Sequence, residues 1–108
     1  MKKSSKEIFA MQADVCRALG NPLRIEIIDI LQDGEMGFSV LLEKTGGLKS
    51  NLSQHLSVLA KKGIVKSRRE GQAVYFSLTS KKVAKACGLM REVLIDNLNK
   101  KLALVKNK

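Results

Sequence analysis

The stretch "SNLSQHLSVLAKKGIVKSRREGQAVYFSL", Ser50 to Leu78, changes its period partway along. As far as Lys62 its apolar residues fall at helical spacing. After Gly63 they form two short runs, Ile64 and Val65 before "REGQ" and Val74, Tyr75, Phe76 and Leu78 after it. β-Branched and aromatic residues on either side of a glycine-containing turn predict a hairpin. The reading is a helix over 49–62 followed by two strands within 64–79. On a helical wheel of about 100° per residue, Leu52, Leu56 and Leu59 cluster on one side. Ser50, Gln54, Ser57 and Lys61 point the opposite way.

That outward face holds small hydroxyls, an amide and a lysine, and the helix has no acidic residue. A merely solvated helix more usually carries Glu and Lys pairs at i,i+4 spacing. A short polar face without carboxylates fits the DNA major groove, where Gln can bond an adenine edge through two hydrogen bonds and Ser can reach bases or phosphate. The hairpin adds Lys66, Arg68 and Arg69. Charged hairpin tips often do nothing more than face water. A basic hairpin directly after such a helix is different, because it can reach the neighbouring DNA backbone or minor groove.

Upstream, "SSKE" is a capping signal, with Ser4 three residues before Glu7, and Ile8, Met11, Val15 and Leu19 recur at helical spacing. "GNP" ends this first helix, and Pro22 opens the next, "PLRIEIIDILQ", whose core face is Leu23, Ile27, Ile30 and Leu31. "DGEMG" reads as a break. A third helix is expected from Ser39 to Thr45, closed by Gly46 and Gly47. Downstream, "SKKVAKACGLMREVLIDNLNKKLALV" sets Val83, Cys87, Met90, Leu94, Leu98 and Leu102 on one long stripe. A core this small does not need the whole stripe, so a second subunit is expected to cover it. The elements form one domain over 1–108: helices within 5–48, a recognition helix over 49–62, a wing over 64–79 and a dimerisation helix over 80–106.

Composition points the same way. The 108 residues carry 20 Lys and Arg against 10 Asp and Glu, a formal charge of +10. Such an excess favours a polyanion, with nucleic acid ahead of an anionic membrane, because each neutralised phosphate releases counterions. No run approaches the roughly 20 apolar residues of a membrane span. "MKKSSKEIF" turns charged where a signal peptide would stay apolar, so the expected location is the cytoplasm. Cys16 and Cys87 are too few and too far apart for a secreted disulfide framework, and they begin as thiols. No nucleophile with a matched base and no phosphate loop stands in the chain, and its single histidine is His55, so an enzyme is not expected.

Taken together, "RALGNPLRIEIIDIL", "NLSQHLSVLAKKGIVKSRREGQAVYFSL" and the closing helix resemble the ArsR/SmtB family of winged-helix repressors over roughly residues 15–98. The resemblance implies a mainly α fold with a small β-hairpin (α+β), a winged helix-turn-helix dimerising through its first and last helices. It implies a regulator that binds a palindromic operator on double-stranded DNA and is released by a metal, metalloid or reactive sulfur signal. Carried over, "SNLSQHL" is the recognition helix and "RREGQ" the wing. The DNA-binding candidates are Lys49, Ser50, Asn51, Ser53, Gln54, His55, Ser57 and Lys61 on the helix, with Lys66, Arg68, Arg69 and Gln72 in the wing. His55 falls at the edge of the core face and reads as a DNA-side or hinge-packing residue. The dimer-interface candidates are Ile8, Val15, Val83, Cys87, Met90, Leu94 and Leu98. The family commonly turns into its recognition helix through Gly-Leu-Ser; "TGGLKSN" departs from that, which makes Ser50 the candidate cap.

The family's metal ligands are missing. "EMGFSVLLEK" lacks the cysteine pair found before the recognition helix, and the last helix has no histidine. Glu92 and Asp96 form an i,i+4 carboxylate pair, a weak and unselective ligand set that reads as a solvated face. Cys16 and Cys87 remain, on helices that the family packs together. They are candidates to hold a thiophilic metal or metalloid, or to form a disulfide or polysulfide bridge. In persulfide-sensing members, however, the reactive cysteines align near Asp29 and Ile95, and buried cysteine also serves as a small hydrophobe. Three readings follow: a thiol-responsive repressor, a repressor without metal or redox sensing, and a basic module that binds nucleic acid nonspecifically or an acidic protein.

Overall fold

A computed structural model describes residues 4–106, so the two ends of the expected 1–108 domain lie outside the described residues. Helix α1 (Ser5–Leu19) begins where Ser4 Oγ accepts the Glu7 amide at 3.2 Å, which satisfies one of the free N–H groups of a helix start. Helix α2 (Pro22–Leu31) starts under Asn21, whose Oδ1 accepts the amides of Leu23 at 3.0 Å and Arg24 at 3.2 Å. Met36–Gly37 forms a short strand, β1, and leads into α3 (Phe38–Thr45), one residue earlier than expected. The break at "DGEMG" thus contributes a third strand to what the sequence reads as a two-stranded wing.

Helix α4 (Lys49–Lys61) follows. Leu48 takes its cap position with extended backbone and no side-chain hydrogen bond, and Ser50 lies within the first turn, so the expectation of a Ser50 cap is corrected. The helix ends at Gly63, φ 73°, where the Gly63 amide donates to the Ala60 carbonyl at 3.0 Å and the Ile64 amide to the Leu59 carbonyl at 2.9 Å. This double closure uses the left-handed backbone that glycine supplies, and it aims the chain into the hairpin. β2 (Val65–Glu70) and β3 (Ala73–Leu78) pair antiparallel around Gly71, φ 62°, and β1 joins the other edge of β3, giving the order β1-β3-β2. Helix α5 (Lys82–Lys106) closes the fold.

The core gathers Ile27, Ile28 and Leu31 of α2, Leu41 of α3, and Leu52, Leu56 and Leu59 of α4, with Ile64, Val65 and Ala84. Fully burying each of these Ile, Leu and Val side chains contributes about 1.5–3 kcal/mol. Ile28, outside the stripe read from the sequence, is wholly buried because α2 runs through the centre, packed by α3, α4, α5 and the sheet. Of the dimer-interface candidates, Val15 and Val83 pack partly on this same core. Ile8, Met90, Leu94 and Leu98 stand 47–70% exposed on the single protomer. Among the described residues, no helix is long and apolar enough to cross a membrane.

Candidate nucleic-acid interface

Three leucines orient α4. With Leu52, Leu56 and Leu59 at 0–1% exposure, the opposite face must point outward. Lys49, Ser50, Asn51, Ser53, Gln54, Ser57 and Lys61 are all exposed. His55 departs from this set. It is half-buried, and its Nδ1 accepts a 2.9 Å hydrogen bond from Arg24 Nε, while Arg24 Nη1 donates to the Ala18 carbonyl at 3.1 Å. Of the two roles read for His55, the bond from Arg24 fits the packing one: the imidazole is tied to α2.

The wing divides by register. Val65 pairs with Leu78, Ser67 with Phe76 and Arg69 with Val74, and these residues share the sheet face that covers the core. Lys66, Arg68 and Glu70 share the other face. Arg69 therefore continues the recognition-helix side of the hairpin, and Gln72 sits in the two-residue turn. Arg68 is engaged elsewhere. Its Nε and Nη2 donate to Glu35 at 2.8 and 2.7 Å, its Nη1 donates to Glu70 at 2.8 Å, and its guanidinium stacks 4.5 Å from the Tyr75 ring centroid. The Arg68 hydrogen bond holds the Glu35 carboxyl below its ordinary pKa, and Glu35 followed by Glu70 raises that of Arg68. No local spacing announces Glu35, which lies 33 residues away in the stretch read as a break.

Between α4 and the hairpin runs an open groove of about 660 Å³. Val40, Leu56, Val74 and Phe76 line it alongside Ser53 and Ser57 of the recognition helix. The candidate DNA-binding face is thus concave, with an apolar floor and hydroxyls from α4.

The thiols lie off this surface. Cys16 is exposed on α1 and Cys87 is half-buried on α5. Burial pushes the Cys87 thiol above its ordinary pKa; Arg91 acts against this, and Cys16 adds to it as a nearby potential negative charge. Asp29, at one position aligned with the persulfide sensors, instead accepts a 3.1 Å hydrogen bond from Arg91, and Ile95, at the other, is 46% exposed. Among the described residues, no three His, Cys, Asp or Glu side chains gather as a metal site.

A helix-turn-helix with a free polar face, followed by a hairpin that presents a basic residue on the same side, defines a winged helix-turn-helix DNA-binding regulator. Comparison narrows this. Residues 21–67 match the bacterial regulatory protein, arsR family. The chain is 32% identical over 104 residues to an uncharacterized HTH-type transcriptional regulator of Mycobacterium tuberculosis, Rv0081, covering 95% of this chain and 91% of that one. The crystal structure of Rv0081 superposes with a TM-score of 0.78, covering 88% of this chain and 96% of that chain at 31% identity. The nodulation protein NolR of Rhizobium meliloti is 39% identical over 80 residues, 74% of this chain and 66% of NolR. The homodimeric winged helix-turn-helix domain of Mb0332 from Mycobacterium bovis matches at TM-score 0.77 and 29% identity, covering 91% of this chain and 93% of that domain. The chain belongs to the ArsR family of transcriptional regulators.

Proposed function

We propose that this chain is a cytoplasmic, homodimeric repressor that binds a palindromic operator, with α4 in the major groove and the wing on the flanking DNA. The observation that carries this reading is the exposed, carboxylate-free face of α4, fixed from behind by three buried leucines. The apolar residues left exposed on α1 and α5 support the dimer, which would bring two recognition helices to successive major grooves on one side of the duplex. Selection from random DNA followed by footprinting tests it. The expected result is a protected two-fold site with half-sites about one helical turn apart, about 10 bp, and a reporter silenced when that site overlaps its promoter. Uniform binding without sequence preference would instead favour the nonspecific basic module.

A second element concerns release. Cys16 is exposed and adds, after burial, to the rise of the Cys87 pKa, which supports a thiol pair as the seat of a signal. Bridging the two would remove two protons and two electrons, taken up by an oxidant or by sulfane sulfur; arsenite or zinc would bind them as thiolates. A dimer that holds its recognition helices at a changed angle would lose joint register on DNA. The test is operator affinity of the reduced protein against protein exposed to sulfane sulfur, arsenite or zinc, beside a Cys16→Ser, Cys87→Ser double variant. Weakening in the parent alone assigns the response to the thiols. Equal binding in every state leaves the thiols without a signalling role.

A further inference from the structure

We infer that Arg68, although it lies in the wing of a DNA-binding protein, is a positioning residue and not a phosphate contact: with Glu35 and Tyr75 it forms a clamp across all three strands that sets the angle at which Arg69 and Gln72 meet DNA. This inference rests on the DNA-binding reading of the wing.

The geometry leaves the guanidinium little to offer a phosphate. Nε and Nη2 present a two-pronged fork to the Glu35 carboxylate, Nη1 is taken by Glu70, and one face lies on Tyr75. Fork-to-carboxylate pairing is directional in a way that a lysine cannot reproduce. The charge balance agrees: Lys66 and Arg68 on the outer face are offset by Glu35 and Glu70, so this face offers no net attraction for phosphate.

The path of the clamp gives its purpose. Glu35 precedes β1, Tyr75 lies on β3 opposite Gly37, and Arg68 lies on β2 opposite Tyr75. The contact therefore runs from one edge of the sheet over its central strand to the other edge. β1 supports the hairpin through Met36 and Gly37 alone, and beyond Ser67 and Phe76 no buried residue underlies the two strands. A bare two-stranded ribbon twists readily and is marginal alone. An exposed ion pair adds little to global stability, but a bidentate one fixes an angle.

Two measurements test this. The first is operator affinity against salt concentration for the wild type, Arg68→Lys, Glu35→Gln, the Glu35→Gln, Arg68→Gln double variant, and Arg69→Ala as the phosphate-contact control. The clamp predicts that Arg68→Lys and Glu35→Gln each weaken binding about fivefold, the order of coupling between contacting groups, and that the double variant is no worse than either. The salt slope stays unchanged for Arg68→Lys and falls by about 0.9 for Arg69→Ala. If Arg68→Lys holds affinity within about twofold and Glu35→Gln tightens it, Arg68 is a phosphate contact and the clamp is wrong. The second measurement needs no DNA: amide hydrogen exchange at residues 69–73 rises in Glu35→Gln while α2 stays protected. Unchanged exchange at the tip also overturns the clamp. A wild-type protein that recognises no operator refutes the DNA reading separately, and the exchange result then decides the clamp alone.

Discussion

Arg24 Nε donates to His55 Nδ1 across 2.9 Å, so the recognition helix is tied to α2 by residues 31 positions apart. The same guanidinium reaches the Ala18 carbonyl, which makes one side chain the junction of α1, α2 and α4. Arg24→Ala is expected to cost about 1–3 kcal/mol in urea unfolding, the range for a part-buried bond from a charged donor. A cycle with His55→Ala should show coupling of at least about 0.5 kcal/mol; strict additivity would dissolve the link.

Leu56 is 1% exposed and stands between the core and the groove. Leu56→Ala should destabilise the fold by about 2–5 kcal/mol through lost burial and a residual cavity. Chemical denaturation measures this directly. A loss below about 1 kcal/mol would mean that α4 is held by something other than its leucine face.

Gln54 and Arg69 are expected to fail differently. Gln54→Ala should narrow the gap between operator and random DNA, and Arg69→Ala should weaken both and flatten the salt dependence. Competition binding on the two DNAs separates them. Equal losses on both DNAs for both variants would remove the base-reading role of Gln54.

Asp14 joins α1 to the end of α4 through a 2.7 Å hydrogen bond from Lys62 Nζ, which holds its carboxyl below the ordinary value of 3.8. A depressed carboxylate adds stability that is complete above its unfolded pKa and vanishes as pH falls through its lower folded pKa. The stability difference between the wild type and Asp14→Asn should therefore shrink as pH falls through and below the ordinary carboxylate value of 3.8. The side chain is exposed, so the effect is small and weakens with salt. A difference that is flat in pH would show that the pair contributes nothing.

Leu94 lies on the exposed stripe of α5. Leu94→Glu should yield monomers by analytical ultracentrifugation and lower operator affinity by more than about a hundredfold, because joint binding by two half-site readers is lost. A dimer that survives this substitution would place the interface elsewhere.

Local periodicity made the five helices and the hairpin legible, and the spacing of Leu52, Leu56 and Leu59 alone oriented α4. The strand at Met36–Gly37 escaped because two residues carry no alternation; it exists only through its pairing with Phe76 and Tyr75. Ile28 escaped because a helix packed on several sides buries more than one stripe. Arg68 and His55 read as DNA-side residues by type, but their partners Glu35 and Arg24 are set by tertiary folding at long range. Ser50 has the right chemistry for a cap, yet the backbone turned helical two residues too early for it to serve.

The 25-residue α5 leaves Leu89, Met90, Val93, Leu94, Ile95, Leu98 and Leu102 each 46–70% exposed on one protomer. If a second copy covers them, assembly draws on the folded protomer by mass action, and the unfolding midpoint rises with protein concentration. The regulator then reads its own dosage: scarce copies are loosely held, open to proteolysis and weak on DNA, while abundant ones are stable and bind as a unit. A repressor built this way switches on steeply as its own synthesis proceeds.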